Sequence, residues 1–347
     1  MSLLCLVYCT LSLALFSGFL TTSLSTRLLG TSLPPQESTS LAHLLSKASP
    51  LLSPPTSLDP NVLSTKFDEN PPLSACLWIT EDEVELVPRW AERWTGPISL
   101  LIATPSPRGS ARHKALLSAL FLAQKRHPSL RRTLVAHVLH APPSAEPHPN
   151  ALLNLARLLA PSATVALFPA NLSAAAPPKT LFRSLSGPLP HTDANAHRTG
   201  GDATATVLTR RGRASFPFAA GAPLVLPRDA PTWCTERFFG GGSGGDGGAR
   251  EREWEQCLWQ VWLAAFGEVG VRQTQGWTAL GRSEETRAGE RQEGGMAERL
   301  QERLVGRFRS ETCALAIRRF SALRDLESSV DTKRMRWLKR TCRSWMS

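Results

Sequence analysis

Residues 75–80 read ACLWIT and residues 97–104 read PISLLIAT, and these two runs with their sequel decide the fold. Both are uncharged and apolar, of the length of a strand covered on its two faces. Between them residues 81–94 are acidic and amphipathic, with Val84, Val87, Trp90 and Trp94 on one face and Thr80 or Asp82 as N-cap. Beyond them, 110–124 has helical periodicity through Ala115, Leu116, Ala119, Leu120 and Ala123. Residues 133–140 (TLVAHVLH) read as a third strand, 150–160 (NALLNLARLLA) as a helix and 163–168 (ATVALF) as a fourth strand. Strands alternating with helices at this spacing predict βαβ units and a mostly parallel sheet with helices on both sides.

Outside this block the pattern changes. Residues 3–20 carry no charge and are long enough to cross a bilayer, and Arg27 is the first basic side chain. Residues 1–24 are therefore either a cleaved signal peptide or a type II signal-anchor, and both send the chain into the secretory pathway. Residues 25–72, rich in Ser, Leu, Thr and Pro, read as a stem or linker. The domain is expected over 73–280, with flexible insertions near 187–205 and 240–248 and an amphipathic helix over 251–266. A charged linker follows at 281–296, then basic helices at 297–308, 310–328 and 331–345 within 297–347. In the last helix Trp337 and Trp345 stand among Arg334, Arg336, Lys339, Arg340 and Arg343, a pattern for a membrane surface or for packing with a solvated basic face.

The net charge of +11 raises nucleic acid as a partner, but the Arg residues are dispersed and the only Tyr is Tyr8. A stacking set for single strands is thus missing, and a nucleic-acid role is excluded. Cys5 and Cys9 lie in the apolar segment, leaving Cys76, Cys234, Cys257, Cys313 and Cys342 for disulfides in an oxidising lumen. Five is odd, so at least one stays free or pairs with another chain. No C-x-x-C pair, no ligand-spaced His set and no phosphate loop is present. Asn171-Leu172-Ser173 is the only N-glycosylation sequon.

Four segments in order carry a resemblance. They are Leu77-Trp78-Ile79-Thr80 with Trp94 and Gly96-Pro97-Ile98-Ser99; Pro149-Asn150-Ala151-Leu152-Leu153-Asn154-Leu155-Ala156-Arg157; Trp233-Cys234-Thr235-Glu236-Arg237-Phe238; and Trp254-Glu255-Gln256-Cys257. Over roughly 75–270 the chain resembles the family-49 glycosyltransferases, the LARGE-type and β-1,4-glucuronyltransferase-like enzymes of the Golgi, in their divergent fungal branch. The resemblance implies a GT-A-like α/β fold, a Rossmann-type mixed sheet flanked by helices, with a helical C-terminal part. It also implies a UDP-sugar donor such as UDP-glucuronate, a glycan acceptor, and residence in the Golgi or endoplasmic reticulum.

The same resemblance assigns Asn150, Asn154 and Arg157 to donor binding and Trp233 and Arg237 to the acceptor side or its loop. Apart from the resemblance, Glu236 stands in an aromatic setting (Trp233, Phe238, Phe239) of the kind that raises a carboxylate pKa toward general-base use, and Asp229 is a second candidate base by position. The resemblance implies Mn²⁺ as well, held by a D-x-D at a strand end, because hard carboxylate oxygens neutralise a diphosphate leaving group through the ion. Here the strand ending at Phe168 runs instead into Pro169-Ala170-Asn171-Leu172-Ser173, so in place of two carboxylates Asn171 offers one neutral amide oxygen, a poorer ligand. Two readings follow: a glycosyltransferase, or an inactive relative kept as a lumenal binding or scaffold protein; metal-independent catalysis, with Arg or Lys replacing the metal charge, lies between them.

Overall fold

The computed structural model describes residues 57–67, 71–141, 148–173, 176–187, 205–209, 215–219, 221–230, 232–234, 247–278, 280, 296–323 and 328–346. The signal segment 1–24, nearly all of the insertions near 187–205 and 240–248, and the bulk of the linker 281–296 lie outside these residues, as do Glu236 and Arg237. Among the described residues no helix is long and apolar enough to cross a membrane.

The fold is α/β: a mixed eight-stranded sheet flanked by helices, with a helical C-terminal part. The strands are β1 (Ser57–Leu63), β2 (Ser74–Thr80), β3 (Ile98–Thr104), β4 (Leu134–His140), β5 (Thr164–Leu167), β6 (Thr206–Thr209), β7 (Leu224–Pro227) and β8 (Gly270–Gln273). Their order across the sheet is β1-β4-β3-β2-β5-β7-β6-β8. The helices are α1 (Val87–Ala91), α2 (Ala111–Arg126), α3 (Pro128–Thr133), α4 (Pro149–Leu158), α5 (Leu181–Ser186), α6 (Gly247–Ala264), α7 (Met296–Leu323) and α8 (Ser329–Met346).

The four strands predicted between 75 and 168 are the parallel heart of the sheet, β4-β3-β2-β5. Their apolar side chains are buried on both faces, as continuous runs in parallel strands require. The polar exceptions are paired. Ser99 of β3 donates to the Ala156 carbonyl of α4 at 2.6 Å and lies 3.3 Å from Nε2 of His137 on β4.

Residues 57–63, read as linker, instead form an edge strand antiparallel to β4. Pro60 and Asn61 are unfavourable inside a strand. They fall at an irregularity of the register between Asp59 and Leu63, where Asn61 takes a φ of +55°. Edge strands and bulges are where such residues are tolerated. The sheet is mixed, as a GT-A-type sheet implies: β1 pairs antiparallel with β4, and β7 with both β5 and β6.

Trp90, Trp94, Phe168 and Phe182 make an aromatic cluster below this sheet, with Phe168 edge-on to Trp90 at 5.2 Å and to Trp94 at 5.6 Å. Trp94 satisfies its indole by donating to the Pro97 carbonyl at 2.9 Å, which sets the turn into β3. Gly96 in that turn has no room for a side chain, since a Cβ there would fall inside the ring of Phe182. Gly96→Ala is expected to destabilise the fold by about 1–3 kcal/mol, the cost of overpacking. Denaturant midpoints measure it, and adding Phe182→Leu should recover part of the loss.

The C-terminal helices pack on the domain. The segments expected as two helices at 297–308 and 310–328 are one continuous helix, α7, because no Pro lies between them. Arg309 of α7 reaches Glu255 of α6 at 2.9 Å. Trp337 and Trp345 are half-buried against Trp262, Trp259 and Phe216, while Arg336, Lys339, Arg340 and Arg343 face solvent. Cys313 and Cys342 join α7 to α8, and Cys234 joins Cys257 of α6. Cys76 is the odd cysteine, free and buried, and burial pushes its thiol well above the usual range.

Candidate functional site

After β2 the chain moves one way through β3 to β4, then crosses back to β5 on the other side of β2. The crevice outside the C-terminal ends of β2 and β5 is therefore the topological switch point, where open α/β sheets bind ligands. Trp78 lies near the end of β2, and Asn171 three residues past Phe168 where β5 gives way to loop.

Between them sits Arg250, the fourth residue of α6 and a residue that no local motif marks. Its guanidinium lies 3.6 Å from the centroid of the Trp78 ring, donates to the Trp78 carbonyl at 2.8 Å, and donates to Oδ1 of Asn171. Its Nε and the indole Nε1 of Trp78 are buried with no acceptor among the described residues. Arg250 is also without an ion pair among the described residues, and burial lowers its pKa to about 10, against a weaker opposing pull from Glu83. A buried cation stacked on an indole, with two adjacent N–H groups unmet, lacks acceptors and negative charge.

The residues at the end of β5 do not fit Mn²⁺. No carboxylate stands there among the described residues; the Asn171 side-chain oxygen already accepts from a guanidinium, and a second cation beside Arg250 would be repelled. Among the described residues the single His/Cys/Asp/Glu group able to share an ion is elsewhere, at Asp59, His113 and His140.

Asn150, Asn154 and Arg157 fall on one face of α4, as their spacing required, and all three are buried. Their described partners are backbone carbonyls. Asn150 donates to Glu253 of α6 at 3.1 Å and Asn154 to Cys234 at 2.7 Å. Arg157 donates to Arg228, Thr232, Pro227 and Ala230, at 2.7, 2.8, 3.2 and 2.6 Å. Its guanidinium also stacks on Trp233 at 4.0 Å. The stripe thus fixes the segment after β7 and the first turns of α6. His148 is the N-cap of α4, and α4 is wedged between the sheet and α6, so none of the three side chains caps the helix or faces solvent.

Asp229 follows β7, which runs antiparallel to β5, so it stands beside the start of β5 and at the opposite edge from Asn171. There it is exposed and 3.4 Å from Arg228. The structure therefore brings Asn150 close to Arg250 through α6 and places Asp229 away from both. Asn171 is half-buried, its side-chain oxygen held by Arg250. No protein-family model and no curated protein matches the chain.

Proposed function

We propose that this protein is a glycosyltransferase-like domain of the secretory pathway that binds the diphosphate of a UDP-sugar without a metal ion, Arg250 supplying the positive charge. The observation that carries this reading is the buried Arg250 guanidinium at the switch-point crevice, with its Nε–H and the Trp78 indole N–H both lacking acceptors. A diphosphate offers both the charge and the oxygens that this pair lacks. The α4 stripe serves the site indirectly: Asn150 holds α6 one turn from Arg250, and Arg157 and Asn154 hold the segment that leads to it.

Metal-dependent sugar transfer is the less supported form of the family's activity here, because the D-x-D position holds an Asn already hydrogen-bonded to a cation. The reading is thus of a nucleotide-sugar-binding protein that keeps the fold's crevice and replaces its metal by an arginine.

Calorimetric titration of the full chain with UDP and UDP-glucuronate tests it. Binding is expected to be unchanged by Mn²⁺ and to weaken by about 100-fold in Arg250→Met, the effect of losing a charge-assisted contact. Arg250→Lys keeps the charge without the fork and should lose about tenfold. A folded wild-type chain that binds neither ligand, or binding that requires Mn²⁺, would overturn the proposal.

A further inference from the structure

A second cluster lies at the C-terminal ends of β3 and β4, on the sheet face opposite α4. Asp59 of β1 and His140, the last residue of β4, are diagonal neighbours across their antiparallel ladder. His113 enters from the first turn of α2, whose N-cap Ser110 accepts from the His113 amide at 3.2 Å. All three side chains are buried, and one ligand atom from each lies within 4.8 Å of the other two. Nothing in the sequence spacing of 59, 113 and 140 announces them; the β3–α2 loop and the edge strand bring them together.

The hydrogen bonds define what this cluster lacks. His140 Nδ1 is 2.7 Å from the Ser106 carbonyl, which only accepts, so Nδ1 carries the ring proton. The other nitrogen, Nε2, faces Oδ2 of Asp59 at 3.1 Å. In neutral imidazole that is a lone pair set against a carboxylate, and either a second proton or a metal ion resolves it. His113 argues for the ion. A proton would serve the His140–Asp59 pair alone, whereas His113, 6% exposed and edge-on to His140 at 4.7 Å, converges on the same point with its Nε2 unpartnered.

We propose that Asp59, His113 and His140 form a site for one divalent transition-metal ion of the zinc class, tying the edge strand β1 to the β3–α2 loop and β4. Two imidazoles and one carboxylate are a common donor set for such ions. The His140–Asp59 spacing already matches the separation of about 3.3 Å between ligands at tetrahedral bond lengths near 2.0 Å. An Nδ1–H donated to a backbone carbonyl is the usual outer support of a metal-bound histidine. At His113, coordination through either nitrogen requires the Gly109 amide, now donating to Nδ1 at 2.9 Å, to let go. Gly109 has a φ of +78° and open space around it, so its peptide turns at little cost. Arg108, 69% exposed and 2.8 Å from Oδ1 of Asp59, competes for the carboxylate. The site lies apart from the Arg250 crevice and does not depend on the nucleotide reading.

The test uses the full chain, stripped with chelator and dialysed. Co²⁺ is titrated by its visible absorption, Zn²⁺ by displacement of Co²⁺, and thermal unfolding is followed with and without Zn²⁺. One equivalent is expected to bind and to raise Tm. His140→Gln, His113→Gln and Asp59→Asn should each weaken binding beyond the about 10–100-fold that outer supports cost. Arg108→Ala, an exposed change that leaves the fold intact, should tighten binding about two- to fivefold by freeing the carboxylate. A folded wild type without Co²⁺ bands, binding that survives both histidine substitutions, or no tightening in Arg108→Ala would overturn the site.

Discussion

Arg157→Met is expected to lower the free energy of unfolding by about 4 kcal/mol, the range in which removal of a buried, fully bonded charge falls. The size follows from what the guanidinium does. It is fully buried and donates to four carbonyls between Pro227 and Thr232, with Trp233 against its face. Burial lowers its pKa to about 10, and the interactions with Cys76 and Asp229 only partly offset that. Removing the side chain leaves the Arg228, Ala230 and Thr232 carbonyls without this donor, each costing on the order of 1–3 kcal/mol unless water replaces the arginine, while Pro227 keeps the Ala230 amide. Arg157→Lys should recover only a minor part, because three N–H groups on one nitrogen cannot span four acceptors set around a planar fork. Urea unfolding followed by tryptophan fluorescence, with slopes compared, measures both variants. A loss under about 1 kcal/mol would mean that solvent enters and holds the segment instead. The same segment carries Cys234 and its disulfide to α6, so a large loss would also loosen the crevice around Arg250.

The second large effect is on pH dependence. His137 is wholly buried, and desolvation lowers its pKa from 6.5 to about 4. Its Nδ1 accepts from the Asn61 amide at 3.0 Å, so the proton sits on Nε2, facing Ser99. The folded state thus holds this ring neutral while the unfolded chain titrates near 6.5. Its contribution is complete above the unfolded value and is lost as pH falls toward the folded one, where both states bind the proton. The window is pH 6.5 down to about 4, and the amount is ~3 kcal/mol, since each tenfold change in proton affinity is worth roughly 1.4 kcal/mol. Unfolding free energies of wild type and His137→Gln, compared at about pH 7 and about pH 4.5, isolate it. The wild type should lose more stability on acidification than the variant. Equal losses would show that the ring is hydrated in the folded protein.

The parallel heart of the sheet was legible in the chain because strands buried on both faces must be apolar throughout, and ACLWIT, PISLLIAT, TLVAHVLH and ATVALF satisfy that rule locally. The odd count of five lumenal cysteines likewise required at least one to stay free or pair with another chain, and among the described residues Cys76 is the one outside a disulfide. The spacing of Asn150, Asn154 and Arg157 fixed their common helix face, since periodicity is a property of the helix itself.

What those side chains touch depends on the assembled fold. Their partners come from residues 227–234 and 253, which reach α4 only when β7 pairs with β5 and α6 packs over it. Arg250 and Asn171 are 79 positions apart, and Asp59 and His140 are 81 apart. Neither meeting leaves a local signal, because non-local contacts depend on strand order and register. Even β1 was hidden by Pro60 and Asn61, which are unfavourable inside a strand and acceptable only where the fold makes that strand an edge. Local pattern was enough to say which segments build the sheet and which helix face turns inward. The crevice charge, the histidine cluster and the first strand arise from the pairing of distant segments, through which buried polar groups find their partners or are left without them.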